Sequence, residues 1–252
     1  MSLIVARTHG GLGNQLFQVL YSRLFAGSLA DSRLFVIHDR NYPHAFALSP
    51  VFTEGGEAPF PAGLVSRIRM PKILERIGIS QSGRFSIGGG VYIDGYFQNV
   101  DDYHDWSDLE IASQLERLRI ALEIKSGNPD QGILHHIRLG DFFTTEAAEI
   151  QHLEERLSTL PDGCSVMSNR EELIKGSVLG DTLSSKRIQV VPSGGDSAET
   201  VITKMSRYGE IVTNNSTLAF WAACLGDRKL VTESTKLNAL YARFSRVKAV
   251  PT

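Results

Sequence analysis

Apolar residues fall into short blocks along this chain, and the spacing within the blocks alternates between that of strands and that of helices. Leu3 to Ala6 is a run fit for a buried strand, and a glycine-rich turn follows it. A helix is then expected from about Gln15 to Ala30, where Leu16, Val19, Leu20, Leu24 and Phe25 recur near helical spacing. Leu34-Phe35-Val36-Ile37 is the next strand, and strand, helix, strand opens a parallel α/β layer. From Asn41 to Gly63 no period holds and Pro, Gly and aromatic residues accumulate, which predicts a long irregular excursion. A helix over Leu64 to Ile77 is interrupted by Pro71. Flexible glycines at 88–90 precede a strand leading to Ile93, and Ala112 to Ile124 shows a helical stripe through Leu115, Leu118 and Leu122.

Lys125 to Gly132 has the composition of a linker, so the chain divides into lobes over residues 1–128 and 129–252. In the second lobe Gly132 to Ile137, Cys164 to Met167, Ile188 to Val191 and Glu210 to Thr213 are the expected strands. Helices over Ile150 to Leu160, from Ser168, over Ser197 to Ser206 and after Ser216 separate or follow them. Ser168 with Glu171 three residues later has the capping-box pattern. Strand and helix alternate throughout, the signature of a doubly wound α/β fold.

Composition narrows the functional classes. The 252 residues include 26 basic and 28 acidic side chains, so no global positive field points to nucleic acid or an anionic membrane. Cys164 and Cys224 sit far apart on apolar stretches, as buried free thiols of a reducing compartment do. His9, His44, His104 and His152 lack metal-ligand spacing, and a zinc site is not expected. No secretion signal and no uncharged apolar run of about 18 residues is apparent, so the expected location is cytoplasmic, with peripheral membrane contact left open.

Three stretches carry candidate chemistry. His136-Ile137-Arg138-Leu139-Gly140-Asp141 follows a strand, where the ligand crevice of an open α/β sheet lies. Arg138 offers a fork of donors suited to a phosphate; taken alone, an ion pair of Arg138 with Asp141 closing a turn explains the stretch equally well. Gly10-Gly11-Leu12-Gly13-Asn14-Gln15 lies between a strand and a helix, where glycines let a ligand approach and helix-start amides attract anions. Leu16 stands where a dinucleotide fingerprint requires its third glycine, and Asn14-Gln15 supplies two amides that a plain turn does not need. Thr213-Asn214-Asn215-Ser216-Thr217 ends a strand and opens an apolar helix, so Ser216 or Thr217 can cap it while neighbouring groups face a phosphate or a sugar. Phe220 and Trp221 belong to the core. Glu154-Glu155 and Glu171-Glu172 are expected on solvated helix faces.

Gly11-Leu12-Gly13-Asn14-Gln15-Leu16-Phe17-Gln18, Gly95-Tyr96-Phe97-Gln98, His136-Ile137-Arg138-Leu139-Gly140-Asp141 and Asn215-Ser216-Thr217 with Phe220-Trp221-Ala222-Ala223 resemble, in order, motifs of the α-1,2-fucosyltransferase family. The histidine-x-arginine motif is shared with α-1,6- and protein O-fucosyltransferases. The resemblance implies a GT-B fold of two Rossmann-like lobes and an inverting, metal-independent transfer of fucose from GDP-β-L-fucose, with no cofactor. It implies that Arg138 holds the diphosphate, that His136 lies near the guanosine, that Asn215, Ser216 and Thr217 line the phosphates, and that Gly13 and Asn14 reach the donor from the first lobe. The expected acceptor is a galactose hydroxyl of a bacterial surface glycan or its lipid-linked precursor. Two positions depart from the family pattern. Leu139 stands where bacterial members carry a second arginine, and Ser168-Asn169-Arg170 replaces a serine and two acids, leaving Asn169 as the group expected to pair with the base. The sequence does not fix the general base: Asp141 follows the motif and serves equally as a brace of its loop, and Asp94 is a second, weaker candidate. A transferase for another GDP-sugar and a non-catalytic nucleotide-sugar-binding module remain alternatives, and a nicotinamide dehydrogenase is disfavoured by Leu16.

Overall fold

The fold is that of a computed structural model, which describes residues 2–38, 83–87, 90–125, 127–129, 131–140, 143–176 and 180–248. The expected excursion over 41–63 and the helix over 64–77 lie outside the described residues. The chain forms two compact units, Met1–Ala121 with Ala242–Thr252, and Leu122–Tyr241. The expected division at 128/129 is thus shifted: the linker-like stretch belongs to the second unit, and the last residues belong to the first.

In the first unit, β1 (Ser2–Thr8) runs parallel to β2 (Ser32–His38) and to β4 (Gly90–Ile93), and β3 (Arg84–Ile87) pairs antiparallel with β4. The described strands lie in the order β2-β1-β4-β3. Along β1 the buried positions Ile4, Ala6 and Thr8 alternate with half-buried ones, as a strand with one face on a core requires. That face is covered by α1 (Leu12–Gly27), which buries Leu16, Phe17, Val19, Leu20 and Leu24. The expected strands and helix are found here, but α1 begins at Leu12 rather than Gln15, so Gly13, Asn14 and Gln15 are helical residues. The tight entry turn explains one amide of the motif. Gly10 has φ +78°, and the buried Gln15 donates from Nε2 to the Gly10 carbonyl at 2.7 Å.

A second cluster in this unit is aromatic. Tyr21 stacks on Phe97 with centroids 3.8 Å apart and meets the edge of Trp106 at 5.1 Å. Tyr103 donates from its hydroxyl to the Phe97 carbonyl at 3.0 Å, which satisfies its polar end inside the core. Helix α2 (Asp108–Ala121) starts four residues before the expected Ala112. Ser107-x-x-Glu110 explains the early start, since Glu110 accepts from the Ser107 amide at 2.8 Å and Ser107 Oγ accepts from the Glu110 amide at 3.3 Å.

The second unit holds β5 (Gln131–Ile137), α3 (Glu146–Thr159), β6 (Ser165–Ser168), α4 (Glu171–Gly176), α5 (Gly180–Ser185), β7 (Gln189–Val190), α6 (Ala198–Met205), β8 (Tyr208–Thr213), α7 (Thr217–Gly226) and β9 (Lys229–Thr232), followed by α8 (Thr235–Lys248). Every described pairing in this sheet is parallel, and the order is β7-β6-β5-β8-β9. The first strand is central, the chain winds outward through β6 and β7, then crosses back to β8 and β9. The order therefore reverses between β5 and β8, at the topological switch point of a doubly wound sheet. Ile137, Leu139, Leu153, Leu157, Leu160, Val166 and Ile174 form the core between sheet and α3–α4. On α7, Ala219 to Gly226 are buried without a polar face, as a helix packed on several sides must be.

Gly10→Ala is expected to lower stability by about 1–2 kcal/mol, the cost of a left-handed L-residue, because the added Cβ keeps φ +78° and lies 2.9 Å from Asn14 Nδ2. Urea denaturation of the two proteins measures it, and equal midpoints would mean that the turn relaxes freely.

Candidate functional site

The carboxyl ends of β5, β6 and β8 carry the site within the second unit. β5 hands over to Arg138 and Leu139, and the last registered pairs of its ladder are His136 with Thr213 and Ile137 with Ser168. Past that point two asparagine side chains take over the role of neighbouring strands. The Arg138 amide donates to Asn214 Oδ1 at 3.2 Å, and Asn214 Nδ2 donates to the Arg138 carbonyl at 3.1 Å. On the other side the Leu139 amide donates to Asn169 Oδ1 at 2.8 Å, and Asn169 Nδ2 donates to the Leu139 carbonyl at 2.9 Å. A carboxamide presents the same donor and acceptor as a peptide group, so each asparagine extends the sheet by one residue.

Gly140 then turns the chain with φ +96°, a conformation that suits glycine, and its carbonyl accepts from the Phe143 amide at 2.9 Å. Asn214 is itself braced, since its carbonyl accepts from Thr232 Oγ1 at 3.0 Å and Thr232's carbonyl accepts from Asn238 Nδ2 at 2.8 Å. Three chain segments therefore fix the peptide that carries Arg138. The Arg138 residue is half-buried at the rim of the switch point.

Helix α7 starts beside it. Ser216 is 2% exposed and its Oγ accepts from the Ala219 amide at 3.3 Å, so its hydroxyl is an N-cap. Thr217 is the first helical residue and half-buried, and Asn215 is exposed. The first-turn amides and the helix dipole make this end attractive to an anion, and the buried body of α7 limits screening of that dipole. A cavity of about 230 Å³ opens on the same strand ends, with Thr213, Asn214, Thr232 and Glu233 among its lining residues.

His136 points into the buried face of the sheet. It is 5% exposed, with Nδ1 3.5 Å from Thr213 Oγ1. Burial, with a smaller contribution from the positive charge of Arg138, pushes its pKa down to about 4. The imidazole is neutral at neutral pH and adds no charge to the site. Leu139, where the sequence resemblance expected a second arginine, is fully buried in the core of Ile137, Leu153, Leu157 and Val166. Its backbone belongs to the site and its side chain to the core.

The structure brings together Arg138, His136, Asn169, Asn215, Ser216 and Thr217 around these strand ends. Asp141 lies outside the described residues. Gly13 and Asn14 are in the first unit, where Asn14 Oδ1 accepts from Gln98 Nε2 at 2.9 Å, joining the first two motifs. Asp94 is there too, bonded to Arg7 Nη1 at 3.0 Å and with His9 Nδ1 at 3.7 Å. Asn169, expected to pair with a base, has both ends of its carboxamide on the Leu139 peptide. The solvated role expected for Glu171 is overturned: it is 8% exposed, and Oε2 accepts from the Ser193 and Gly194 amides at 2.8 Å each, fixing the loop after β7. Asn214 belongs to the polar run that the sequence marks at the end of β8, but its role there, holding the Arg138 peptide, is visible only in the structure.

No family model matches the sequence, and no curated protein sequence matches it. Among solved structures the chain is similar to the fucosyltransferase NodZ from Bradyrhizobium, at 14% identity and TM-score 0.45 over 89% of this chain and 92% of that one. It is similar to POFUT1 in complex with GDP, at 12% identity and TM-score 0.45 over 92% and 98% of the two chains. It is also similar to the E. coli heptosyltransferase WaaC with ADP, at 10% identity and TM-score 0.43 over 98% and 100%. The strand order, read directly from the pairing, is what establishes the doubly wound α/β sheet of the second unit.

Two outcomes follow from this geometry. Leu139→Arg should destabilise the protein by about 3–5 kcal/mol, the cost of an uncompensated buried charge; a variant as stable as the parent in urea would show that the side chain escapes the core. His136 has a pKa of about 4 when folded against an ordinary value of 6.5. The unfolded chain then binds the extra proton between those values, so this contribution is full above pH 6.5 and is lost as pH falls toward 4, at up to about 1.4 kcal/mol per pH unit. In His136→Gln the stability profile over that window should flatten, and an unchanged slope would remove His136 as its cause.

Proposed function

We propose that this chain is a glycosyltransferase that takes its sugar from a GDP-sugar bound at the strand ends of the second unit, with GDP-β-L-fucose as donor. The observation that carries this reading is the Arg138 peptide, held by Asn214 on one side and followed by the Asn169-bound Leu139 peptide, at the switch point and beside the α7 amino end. Two carboxamides fix the backbone of one arginine where an anionic ligand would sit. That arrangement supports a diphosphate site over a simple turn. The ordered motifs support fucose as the transferred sugar and a galactose O2 of a bacterial surface glycan, or its lipid-linked precursor, as the acceptor in an α-1,2 linkage.

In this reading the reaction is an inverting displacement through an oxocarbenium-like transition state. The acceptor oxygen bonds to the anomeric carbon, the bond from that carbon to the diphosphate breaks, and GDP leaves with the electron pair. Negative charge grows on the departing β-phosphate. Arg138 and the first turn of α7 meet it with fixed donors and a cation, which need no reorganisation when the charge develops. Ser216 sets the helix start, Thr217 and Asn215 face the phosphates, and neutral His136 packs behind the strand end, toward the nucleoside. Gly13 and Asn14 are assigned to the donor from the first unit. Asp141 is assigned the proton of the acceptor hydroxyl; Asp94, which holds Arg7, is the weaker assignment.

A second reading has its own observation. Asn169 is bound to the Leu139 peptide and Leu139 is buried, so the guanine-selecting acid and the second arginine of the family have no counterpart at these positions. This favours a transferase with broader choice among GDP-sugars, or a module that binds them without turnover.

Arg138→Ala is expected to keep its circular dichroism spectrum while losing protection by GDP against thermal unfolding and at least a hundredfold in transfer from GDP-fucose. Undiminished transfer would overturn the assignment. Binding of GDP by the parent chain without transfer or slow hydrolysis would leave the non-catalytic reading.

A further inference from the structure

The opposite end of the second unit's sheet carries a polar cavity of about 320 Å³, whose lining includes Glu123, Lys125, Thr203, Ser206, Arg207 and Arg228. Lys125 precedes β5, Arg207 precedes β8 and Arg228 precedes β9, so three parallel strands start from its wall. β5 separates it from the Arg138 loop by seven residues, roughly 20 Å at the rise of a parallel strand.

Arg228 is the unusual member. It is 5% exposed, and its Nε donates to the Ser206 carbonyl at 2.7 Å while Nη1 donates to the Gly127 carbonyl at 2.5 Å. These bonds use two of its five N–H groups. Among the described residues no carboxylate pairs with Arg228, Arg207 or Lys125. The structural account of such cations is that they offset the negative ends of α6 and α7, and Arg228 does so for α6 through the Ser206 carbonyl. That account uses Nε and Nη1 of Arg228 and leaves its Nη2 group without an acceptor among the described residues, in the wall of a cavity that Lys125 and Arg207 also line. A buried guanidinium without a counter-ion is costly to keep.

We propose that this cavity binds a small phosphate-bearing anion, at a site separate from the one that holds Arg138. Arg228 meets it with the remaining part of its donor fork, and Lys125 and Arg207 close over it as mobile point charges from two strand starts. The volume sits at the lower end of small-molecule pockets, which suits a phosphate or diphosphate group with little organic body.

Inorganic pyrophosphate at low ionic strength, titrated calorimetrically into the full chain, tests the proposal. Arg138→Ala removes the other anion site; if that variant does not fold, saturating GDP on the parent chain blocks the site instead. One pyrophosphate per chain should still bind. Adding Lys125→Ala and Arg207→Ala, both exposed positions, should weaken that binding at least tenfold, while GDP protection of the chain carrying only these two changes stays as in the parent. No residual pyrophosphate binding once the Arg138 site is removed, or binding unaffected by the two substitutions, would overturn the second site. Loss of GDP protection in the double variant would overturn its independence. Failure of fucose transfer alone would bear on the proposed function and leave this site standing.

Discussion

Everything at the candidate site depends on two peptide groups being held still. The Arg138 and Leu139 peptides lie just beyond the end of the sheet ladder, where backbone partners run out and water would otherwise compete for their amides. Asn214 and Asn169 replace those partners from either side, one from each strand that flanks β5. The arginine thus projects from a sheet that has been extended locally by side chains. A guanidinium on a flexible loop would lose conformational entropy on meeting a diphosphate. Here the backbone part of that loss is already met by folding.

The electrostatic layout is correspondingly sparse. Among the described residues at these strand ends His136 is neutral, Leu139 is apolar and Arg156 is paired with Glu233, so the positive character of the site comes from Arg138 and from the amino end of α7. Because α7 is buried from Ala219 to Gly226, most of its dipole acts through protein rather than through bulk water. Small charges that are rigidly aimed can then do what a cluster of mobile lysines does on a surface.

Much of the fold was legible because the periods are clear. The strand cores at Leu3–Ala6, Leu34–Ile37 and Glu210–Thr213 and the helix begun by Ser197 follow from apolar spacing and capping residues. Helix starts were read late wherever the first turn is polar. Ser107-x-x-Glu110 and Thr145 begin α2 and α3 with few apolar residues to reveal them, and Leu12 begins α1 before its apolar stripe is evident. The site was legible at the level of which strand ends bear polar groups. What each polar group bonds was not, because a carboxamide that binds a peptide and one that binds a ligand have the same sequence signature. Asn169 and Gln15 were read toward ligands and bond backbone. Glu171 was read toward solvent and bonds the loop after β7. Only the strand order, a long-range property, identified which loops become neighbours.

The two carboxamide clamps also give the site a chemical lifetime. Hydrolysis of an asparagine side chain to aspartate replaces an NH₂ donor by a carboxylate oxygen, and at Asn214 or Asn169 that oxygen would face a backbone carbonyl. The attraction on that side of the peptide would become a repulsion without any change in the size of the side chain. Asn214 is followed by another asparagine rather than by a glycine, and Asn169 by an arginine, so neither precedes the least hindered of residues. A molecule can thus age out of function at one atom while its sheets and helices stay intact.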